Sequence, residues 1–389
     1  MRFGPETLHD LSRNDNSIIE RGMSAINHIV NRRLLALLRL ALWREAQEPA
    51  LFDGMDDEAW NAVYNKSVEQ GVLALAYDGV RQLPAELQPD IDVRVQWGYN
   101  VEHIEKIFAQ KTKAATRLVK LYADNGIRTM IMKGVSVARY YPTPAHRQFG
   151  DIDIFLMGDY ERGNRIVAER GAKVKYSFFV HSEFTVGSTN VENHRWFINP
   201  YVNRCATYVQ HALEQLADTL HPHPIVEHAY APSAEFDALF LTRHSSWHYA
   251  RESIHLRELC DWALFLHHEH DNMDCKEVSR LLQESGLERY AAIVTEIGCR
   301  YLGLAETKRI ADTNVEPALV ERVMEDILTY DEKQQAKRGV ITTFWHKITK
   351  RWARKWCYDE VVPDGFFENI IYSAKNYILH PKAIFTAQS

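Results

Sequence analysis

The apolar residues of this chain change their spacing twice along the sequence. From about Ser17 to Val119 they recur every three or four residues, which is the spacing of amphipathic helices. Between roughly Ile127 and Phe197, short apolar runs alternate with glycine, proline and polar turns, a pattern typical of strands. Helical spacing returns at Ala234 and continues to about residue 330. We therefore expect a sheet whose flanking segments are helical.

This order predicts an α+β fold in which a small mixed sheet is flanked by helical N- and C-terminal regions. The chain divides into a helical region 1–118, a core 119–235, a helical domain 236–330 and a C-terminal amphipathic helical extension 331–389. With 46% hydrophobic residues, the chain has ample material for a core.

Charge and cysteine content limit the partners and the compartment. The formal net charge of −6 argues against nucleic acid as a general partner. The five cysteines form no CxxC pair, which fits reduced thiols. The N-terminal stretch carries charges where a signal peptide would be apolar, and no uncharged apolar run reaches about 18 residues. We expect a cytoplasmic protein without a transmembrane segment.

Two aspartates interrupt the strand-like run "DIDIFL". Because side chains alternate between the faces of a strand, Asp151 and Asp153 share one face while Ile152 and Ile154 point to the core. Neighbouring carboxylates repel each other unless a cation lies between them. The pair therefore suggests ligands for divalent metal, and a solvent-facing pair on an edge strand is the structural alternative.

A lysine-glycine corner lies upstream, at the end of the apolar run "RTMIM". Gly134 permits a tight turn into a short helix, whose first backbone N–H groups can receive phosphate oxygens. Lys133 would add a positive charge and Ser136 a hydroxyl donor. The corner is not a Walker A loop, since the lysine precedes the glycine. An ordinary turn between strand and helix is the alternative.

A third carboxylate follows in "SEFTVGSTNVENHRWFI", which is typical of a hairpin around Gly187. The second strand places Glu192, His194 and Trp196 on one face. Glu192 could join the aspartates as a metal ligand or act as general base, and His194 could orient a phosphate or the acceptor. A solvated polar face is again the alternative.

These segments resemble a known family. "MIMKGVSVARYYPTPAHRQFGDIDIFL" and "VENHRWF" are similar to the motifs of uncharacterised bacterial nucleotidyltransferases of the DNA-polymerase-beta-like superfamily, over roughly residues 55 to 270. The resemblance implies metal-binding, catalytic carboxylates, a nucleotide-phosphate corner, and a functional or structural role for Arg147. The carboxylates are Asp151, Asp153 and Glu192, and the corner is Lys133-Gly134.

Two positions depart from the pattern. Val135 follows Gly134 where the superfamily usually has serine or glycine, so that a hydroxyl contact must come from Ser136. Asn193 stands where an aliphatic residue is expected on the inward face of the acidic strand.

The resemblance implies a metal-dependent nucleotidyltransferase. It would move a nucleoside monophosphate from an NTP, with ATP as the expected donor, to a hydroxyl of an unknown small molecule, protein or saccharide, and release pyrophosphate. Two Mg²⁺ ions, or Mn²⁺, would be the cofactors. One alternative is a non-catalytic scaffold of the same fold that binds partners. Another is a metal phosphohydrolase centred on His270-Asp271.

Three further patterns lie in the second half of the chain. Arg257 either reaches the nucleotide or acceptor, or pairs with Asp261 four residues later on its helix. His244 and His248 have the spacing of helical metal ligands, although packed or solvated histidines are the simpler interpretation. Near the C-terminus a tryptophan-rich helical stripe has a basic outer face, which predicts packing or binding to polyphosphate, RNA or an anionic membrane. The stripe comprises Trp345, Ile348, Trp352 and Trp356.

Overall fold

The computed structural model describes residues 25–45, 49–177, 180–310, 314–329, 349 and 351–379. Four α-helices precede the sheet in this part of the chain. They are α1 (Ile29–Trp43), α2 (Asp57–Glu69), α3 (Leu73–Gln82) and the long α4 (Ile91–Asp124). The sequence specifies the start of α2, because the side chain of Asp56 accepts a hydrogen bond from the backbone N–H of Ala59.

The sheet has seven strands and is interrupted in sequence by three helices. The strands are β1 (Met130–Met132), β2 (Ile152–Phe155), β3 (Lys175–Ser177), β4 (His181–Val186), β5 (Thr189–His194), β6 (Leu220–Pro222) and β7 (Tyr230–Pro232). The helices are α5 (Gly134–Ala138), α6 (Tyr160–Glu169) and α7 (Arg204–Leu216). The strand order is β3-β4-β5-β2-β1-β7-β6. Strand β2 lies antiparallel to β1 and parallel to β5, so the sheet is mixed.

The two faces of the central strands differ in chemistry. On one face, Ile131, Ile152, Ile154 and Val191 pack in a hydrophobic cluster with side chains of α4. The opposite face carries Asp153 and its neighbours, since strand residues alternate. The sheet therefore buries an apolar layer on one side and presents carboxylates on the other.

One polar residue lies inside the apolar layer. Asn193 of β5 is fully buried, and its Nδ2 donates a hydrogen bond to Oδ1 of Asn164 at 2.9 Å. The hydroxyl of Ser182 donates to the same oxygen at 2.8 Å. The NH₂ group of Asn193 therefore has a partner at a position where the resemblance predicts an aliphatic side chain.

Helices follow the sheet to the end of the described chain. They are α8 (Ala234–Glu252), α9 (Leu256–Glu269), α10 (Cys275–Ser285), α11 (Glu288–Leu302), α12 (Pro317–Thr329), α13 (Lys355–Glu360) and α14 (Phe366–Leu379). Side chains of α1, α3, α9 and α11 belong to the same large hydrophobic core. Helices that precede the sheet in the sequence and helices that follow it thus pack in one hydrophobic core.

The expected α+β class with helical flanks is confirmed. Strands β6 and β7 were not expected from the sequence, and the division into four regions stays a prediction. In the basic C-terminal stripe, Trp345 and Ile348 lie outside the described residues. The prediction of a basic outer face is wrong for Arg354, because this side chain is buried and pairs with Asp326 at 2.8 Å.

Candidate active site

The centre of the candidate site is a pair of carboxylates on two neighbouring strands. Asp153 of β2 lies directly opposite Glu192 of the parallel strand β5. Both are buried, and His194 lies beside them, with Nε2 3.0 Å from Asp153 Oδ1 and 3.4 Å from Glu192 Oε2. Each of the three residues offers one ligand atom within 4.8 Å of the others. Carboxylate oxygens suit Mg²⁺ and Mn²⁺, so this donor set fits a divalent cation.

Lys133 completes this group from the lysine-glycine corner. Met132, the last residue of β1, pairs with Asp153, so the next residue begins the corner beside the carboxylate. The ammonium of Lys133 lies 2.9 Å from Asp153 Oδ1. Its backbone has φ +48°, a conformation that side-chain-bearing residues adopt at a cost of roughly 1–3 kcal/mol. The fold holds Lys133 in this strained position next to Asp153.

Gly134 is needed for close packing as well as for the turn. Its φ is +29°, and a Cβ atom there would lie 3.3 Å from Cδ2 of Phe149 and 3.5 Å from the carbonyl oxygen of Asp151. A larger residue would crowd the ring of Phe149 and would also be strained at this positive φ.

Neighbouring charges and hydrogen bonds lower the pKa values of the two buried carboxylates. Burial alone would raise the pKa of Asp153, but Lys133 and His194 outweigh burial and hold the pKa well below its usual range. Burial also opposes ionisation of Glu192, yet the hydrogen bond with His194 leaves its pKa lowered. For His194, burial favours the neutral ring, and the bonds to the two carboxylates raise the pKa nevertheless. The group is therefore a set of mutually stabilised charges.

Asp151 lies one residue before β2 and is half-buried. Burial and the negative charges of Glu192 and Asp153 raise its pKa, while a hydrogen bond from Asn190 and the charge of Lys111 oppose this shift. All three predicted carboxylates thus influence one another electrostatically. The structure pairs Asp153 with Glu192 across β2 and β5, and Asp151 lies just before β2, outside the group of ligand atoms formed by Asp153, Glu192 and His194.

Lys111 of α4 fixes the segment that leads into Asp151. Its ammonium donates hydrogen bonds to the carbonyl oxygens of Phe149 and, at 2.7 Å, Gly150. The same ammonium lies 5.0 Å from the centre of the Phe149 ring. Sequence reasoning missed Lys111, since it lies about forty residues before Asp151 on an ordinary-looking helix and belongs to no motif.

A second group of metal-ligating side chains adjoins the first. His181 and Glu183 of β4 lie with Glu192 such that their ligand atoms are within 4.8 Å of one another. His181 is buried and Glu183 exposed. Burial lowers the pKa of His181, although Glu192 opposes the shift. Glu192 therefore belongs to both groups of potential metal ligands. The hairpin pattern predicted these strands but gave no reason to single out His181.

Two other predicted residues have partners in the protein interior. Ser136 is fully buried, and its hydroxyl accepts a hydrogen bond from Arg139 at 2.8 Å. Arg147 is buried and binds Asp261 with two hydrogen bonds, from Nε at 3.0 Å and from Nη2 at 2.6 Å. The structure does not place any of these hydrogen bonds at the carboxylate cluster.

Arg257 has a different partner from the one expected. The sequence favoured an ion pair with Asp261, but Asp261 pairs with Arg147, and Arg257 binds the adjacent Glu258. Its Nη1 also lies 3.5 Å from the carbonyl oxygen of Gln148. The prediction that Arg257 forms an ion pair with Asp261 is therefore wrong.

The remaining histidines form no comparable group in the described part of the chain. His270 and Asp271 contact each other at 3.0 Å, and exposed Asp271 also binds Lys308 at 2.6 Å. Within the described ranges, neither this pair nor His244 and His248 belongs to a cluster of three metal-ligating side chains. The phosphohydrolase interpretation thus lacks the further ligands that it needs.

Comparison with known proteins identifies the family of the chain. A family model described as an uncharacterised nucleotidyltransferase matches residues 56–303, well over half of the chain. No curated protein and no solved structure matches the chain. None of the helices in the described ranges has the length and apolar character needed to cross a membrane. With Asp153, Glu192 and the lysine-glycine corner inside the matched segment, the chain belongs to this family of uncharacterised nucleotidyltransferases.

Proposed function

We propose that the protein transfers a nucleoside monophosphate from an NTP, with ATP as the donor, to a hydroxyl group of an acceptor. The observation that carries the proposal is the pairing of Asp153 with Glu192 across β2 and β5, beside Lys133, in a nucleotidyltransferase family. The acceptor would be a small molecule, a protein or a saccharide.

The proposed reaction is a single displacement at the α-phosphorus. The acceptor oxygen forms a bond to the α-phosphorus, and the bond from that phosphorus to the α,β-bridging oxygen breaks. Pyrophosphate leaves with the electron pair, and the hydroxyl proton passes to a carboxylate of the site. Asp151, Asp153 and Glu192 would hold two Mg²⁺ or Mn²⁺ ions, which supply charge neutralisation and activation of the nucleophile.

The side chains around the carboxylates would orient the substrates. Lys133 is the cation at the corner, and we assign it to the triphosphate as a point charge. His194, bound to both buried carboxylates, would keep them in place for the metal ions. Arg147 and Arg257 would act less directly, by holding the segment around Gln148 near the site.

Release of pyrophosphate tests the proposal. The purified protein is incubated with Mg²⁺ or Mn²⁺ and each of the four NTPs, with and without a cell extract as a source of acceptors. We expect release from at least one NTP, dependent on acceptor and abolished in Asp153→Asn and Glu192→Gln. Binding of NTP without pyrophosphate release under every condition would instead favour the non-catalytic scaffold.

A non-hydrolysable ATP analogue provides a second test that needs no acceptor. Calorimetry with Mg²⁺ or Mn²⁺ should show binding in the wild-type protein and its loss in Asp151→Asn and Asp153→Asn. Unchanged binding in both variants would contradict the metal-dependent site.

A further inference from the structure

One face of α8 carries a row of rings that the proposed reaction does not yet use. Phe240, His244 and His248 follow one another at intervals of four residues, so they lie on the same side of the helix about 6 Å apart along its axis. The rings of Phe240 and His244 have centroids 6.0 Å apart, and those of His244 and His248 are 4.5 Å apart. We call these three side chains the α8 row.

The α8 row begins at the lysine-glycine corner. The ammonium of Lys133 lies 5.9 Å from the centre of the Phe240 ring while it contacts Asp153 at 2.9 Å. Phe240 therefore lies close to the carboxylate cluster, and the row extends from it along about two turns of α8. Lys133 is the side chain that links the two.

The electric field of the cluster reaches both histidines. Burial, followed by the charge of Lys133, lowers the pKa of His244 well below its usual value, and Asp153 opposes this shift. Burial and Lys133 likewise lower the pKa of His248, to about 4. Both imidazoles are thus neutral near pH 7, and each has one N–H donor.

Within the part of the chain that the structure describes, neither imidazole has a hydrogen-bond partner for that donor. Among the residues that the structure describes, no hydrogen bond joins His244 or His248 to another group, although both rings are partly buried. A partly desolvated N–H group without a partner is unfavourable, and hydrogen bonds to anionic acceptors are the strongest compensation. A polyanionic ligand beginning at Lys133 would supply such acceptors along the row.

We propose that His244 and His248 donate hydrogen bonds to the phosphate oxygens of the bound NTP, so that the α8 row extends the triphosphate site from Lys133. This inference rests on the proposed function, because it assigns part of the same substrate. It makes the two histidines binding residues, and it gives them no part in metal ligation or proton transfer.

Calorimetry with three phosphate ligands tests the assignment. The wild-type protein, His244→Phe and His248→Phe are titrated, in the presence of Mg²⁺, with a non-hydrolysable ATP analogue, tripolyphosphate and AMP. Phenylalanine keeps a ring in the row and removes the N–H donor. We expect each variant to bind the ATP analogue and tripolyphosphate about tenfold more weakly, with AMP binding unchanged.

Two further variants separate loss of the donor from loss of the fold. His244→Gln retains an N–H donor and should keep more of the triphosphate affinity than His244→Phe. His211→Phe, at an exposed position of α7, serves as the matched control and should bind all three ligands normally. Melting temperatures show whether each variant is folded, and Mn²⁺ binding without nucleotide should stay unchanged in all of them.

The other outcomes are also decisive. Equal losses of affinity for AMP and for the ATP analogue would place the α8 row against the nucleoside. Normal binding of the ATP analogue with lost turnover would place the row against the acceptor. Either result overturns the triphosphate assignment. If the wild-type protein binds tripolyphosphate through these histidines but releases no pyrophosphate from any NTP, the proposed reaction fails and the assignment of the row stands. A wild-type protein that binds no triphosphate overturns both.

Discussion

The ammonium of Lys133 contacts Asp153 at 2.9 Å through Oδ1, the same carboxylate oxygen that His194 contacts at 3.0 Å. A divalent cation bound at this oxygen must share it with the ammonium of Lys133 and with the imidazole of His194. Lys133 therefore opposes binding of metal alone and favours binding of metal together with a triphosphate, which can take over the ammonium as a partner.

We expect Lys133→Met to change the affinity for metal alone and the affinity for the ATP analogue in opposite directions. Without the competing charge, Mn²⁺ alone should bind more tightly, while the ATP analogue should lose roughly 1.5–3 kcal/mol of binding free energy, the range for a hydrogen bond between charged groups. Mn²⁺ titration followed by electron paramagnetic resonance, and calorimetry with the analogue, measure the two values. Lys113→Met, at an exposed position of α4, is the control. Parallel losses of both affinities would show that Lys133 only supports the fold.

Removal of Arg147 should mainly affect stability. The Arg147–Asp261 pair is buried, and the hydroxyl of Tyr141 also donates to Asp261 at 2.7 Å. Arg147→Met would leave the carboxylate buried without its charge partner, which costs about 3–5 kcal/mol of unfolding free energy. Urea unfolding gives this value. Arg257→Met should cost clearly less, because Arg257 and Glu258 are partly exposed. The reverse order of the two losses would contradict this assignment.

Lys111 should act on turnover through the position of Asp151. Lys111→Met removes the donor that holds the carbonyl oxygens of Phe149 and Gly150, so the segment that leads into Asp151 would lose its fixed position. We expect a lower kcat and weaker Mn²⁺ binding, with partial rescue in Lys111→Arg. Lys113→Met again serves as the neighbouring control on the same helix. A fall in melting temperature with normal kcat and metal binding would limit Lys111 to a structural role.

His146 should make stability depend on pH. Its Nδ1 lies 2.6 Å from Asp78 and its Nε2 2.9 Å from Glu105. Burial opposes protonation, but the two carboxylates raise the pKa of His146 above its unfolded value. The stabilisation is thus complete below the ordinary histidine pKa of about 6.5 and is lost as the pH rises through the higher folded pKa.

The comparison of His146→Gln with the wild-type protein measures this effect. The difference in unfolding free energy should be larger at pH 6 than at pH 9. His103→Gln, on the exposed side of α4, should show no such trend. A difference that is constant across this range would mean that the bonds of His146 do not depend on its charge.

Local patterns in the sequence were sufficient to predict which side chains of the central strands point into the apolar layer. Alternation correctly separated Ile152 and Ile154, which pack in the apolar cluster, from Asp153, and likewise Val191 from Glu192. These predictions succeeded because the two-residue period of a strand is encoded within a few neighbouring positions.

Partners that are distant in sequence could not be predicted in this way. Asp261 binds Arg147 from another element, whereas the sequence favoured Arg257 because it lies one helical turn away. The strands β6 and β7 are three residues long and each ends in proline, Pro222 and Pro232, so they lack an alternating pattern. Such features depend on tertiary contacts that no short segment specifies.

The buried amide of Asn193 has a consequence for how β5 can pair with its neighbours. If β5 slipped by one residue, every side chain would change faces. Glu192 and His194 would then enter the apolar layer, and Asn193 would lose Asn164 and face Asp153. The burial of Val191 and the charges of Glu192 and His194 provide a first penalty against this slip. Asn193 adds a second penalty, since it needs its hydrogen-bond partner inside the layer, and so helps to select the single alignment that assembles the carboxylates.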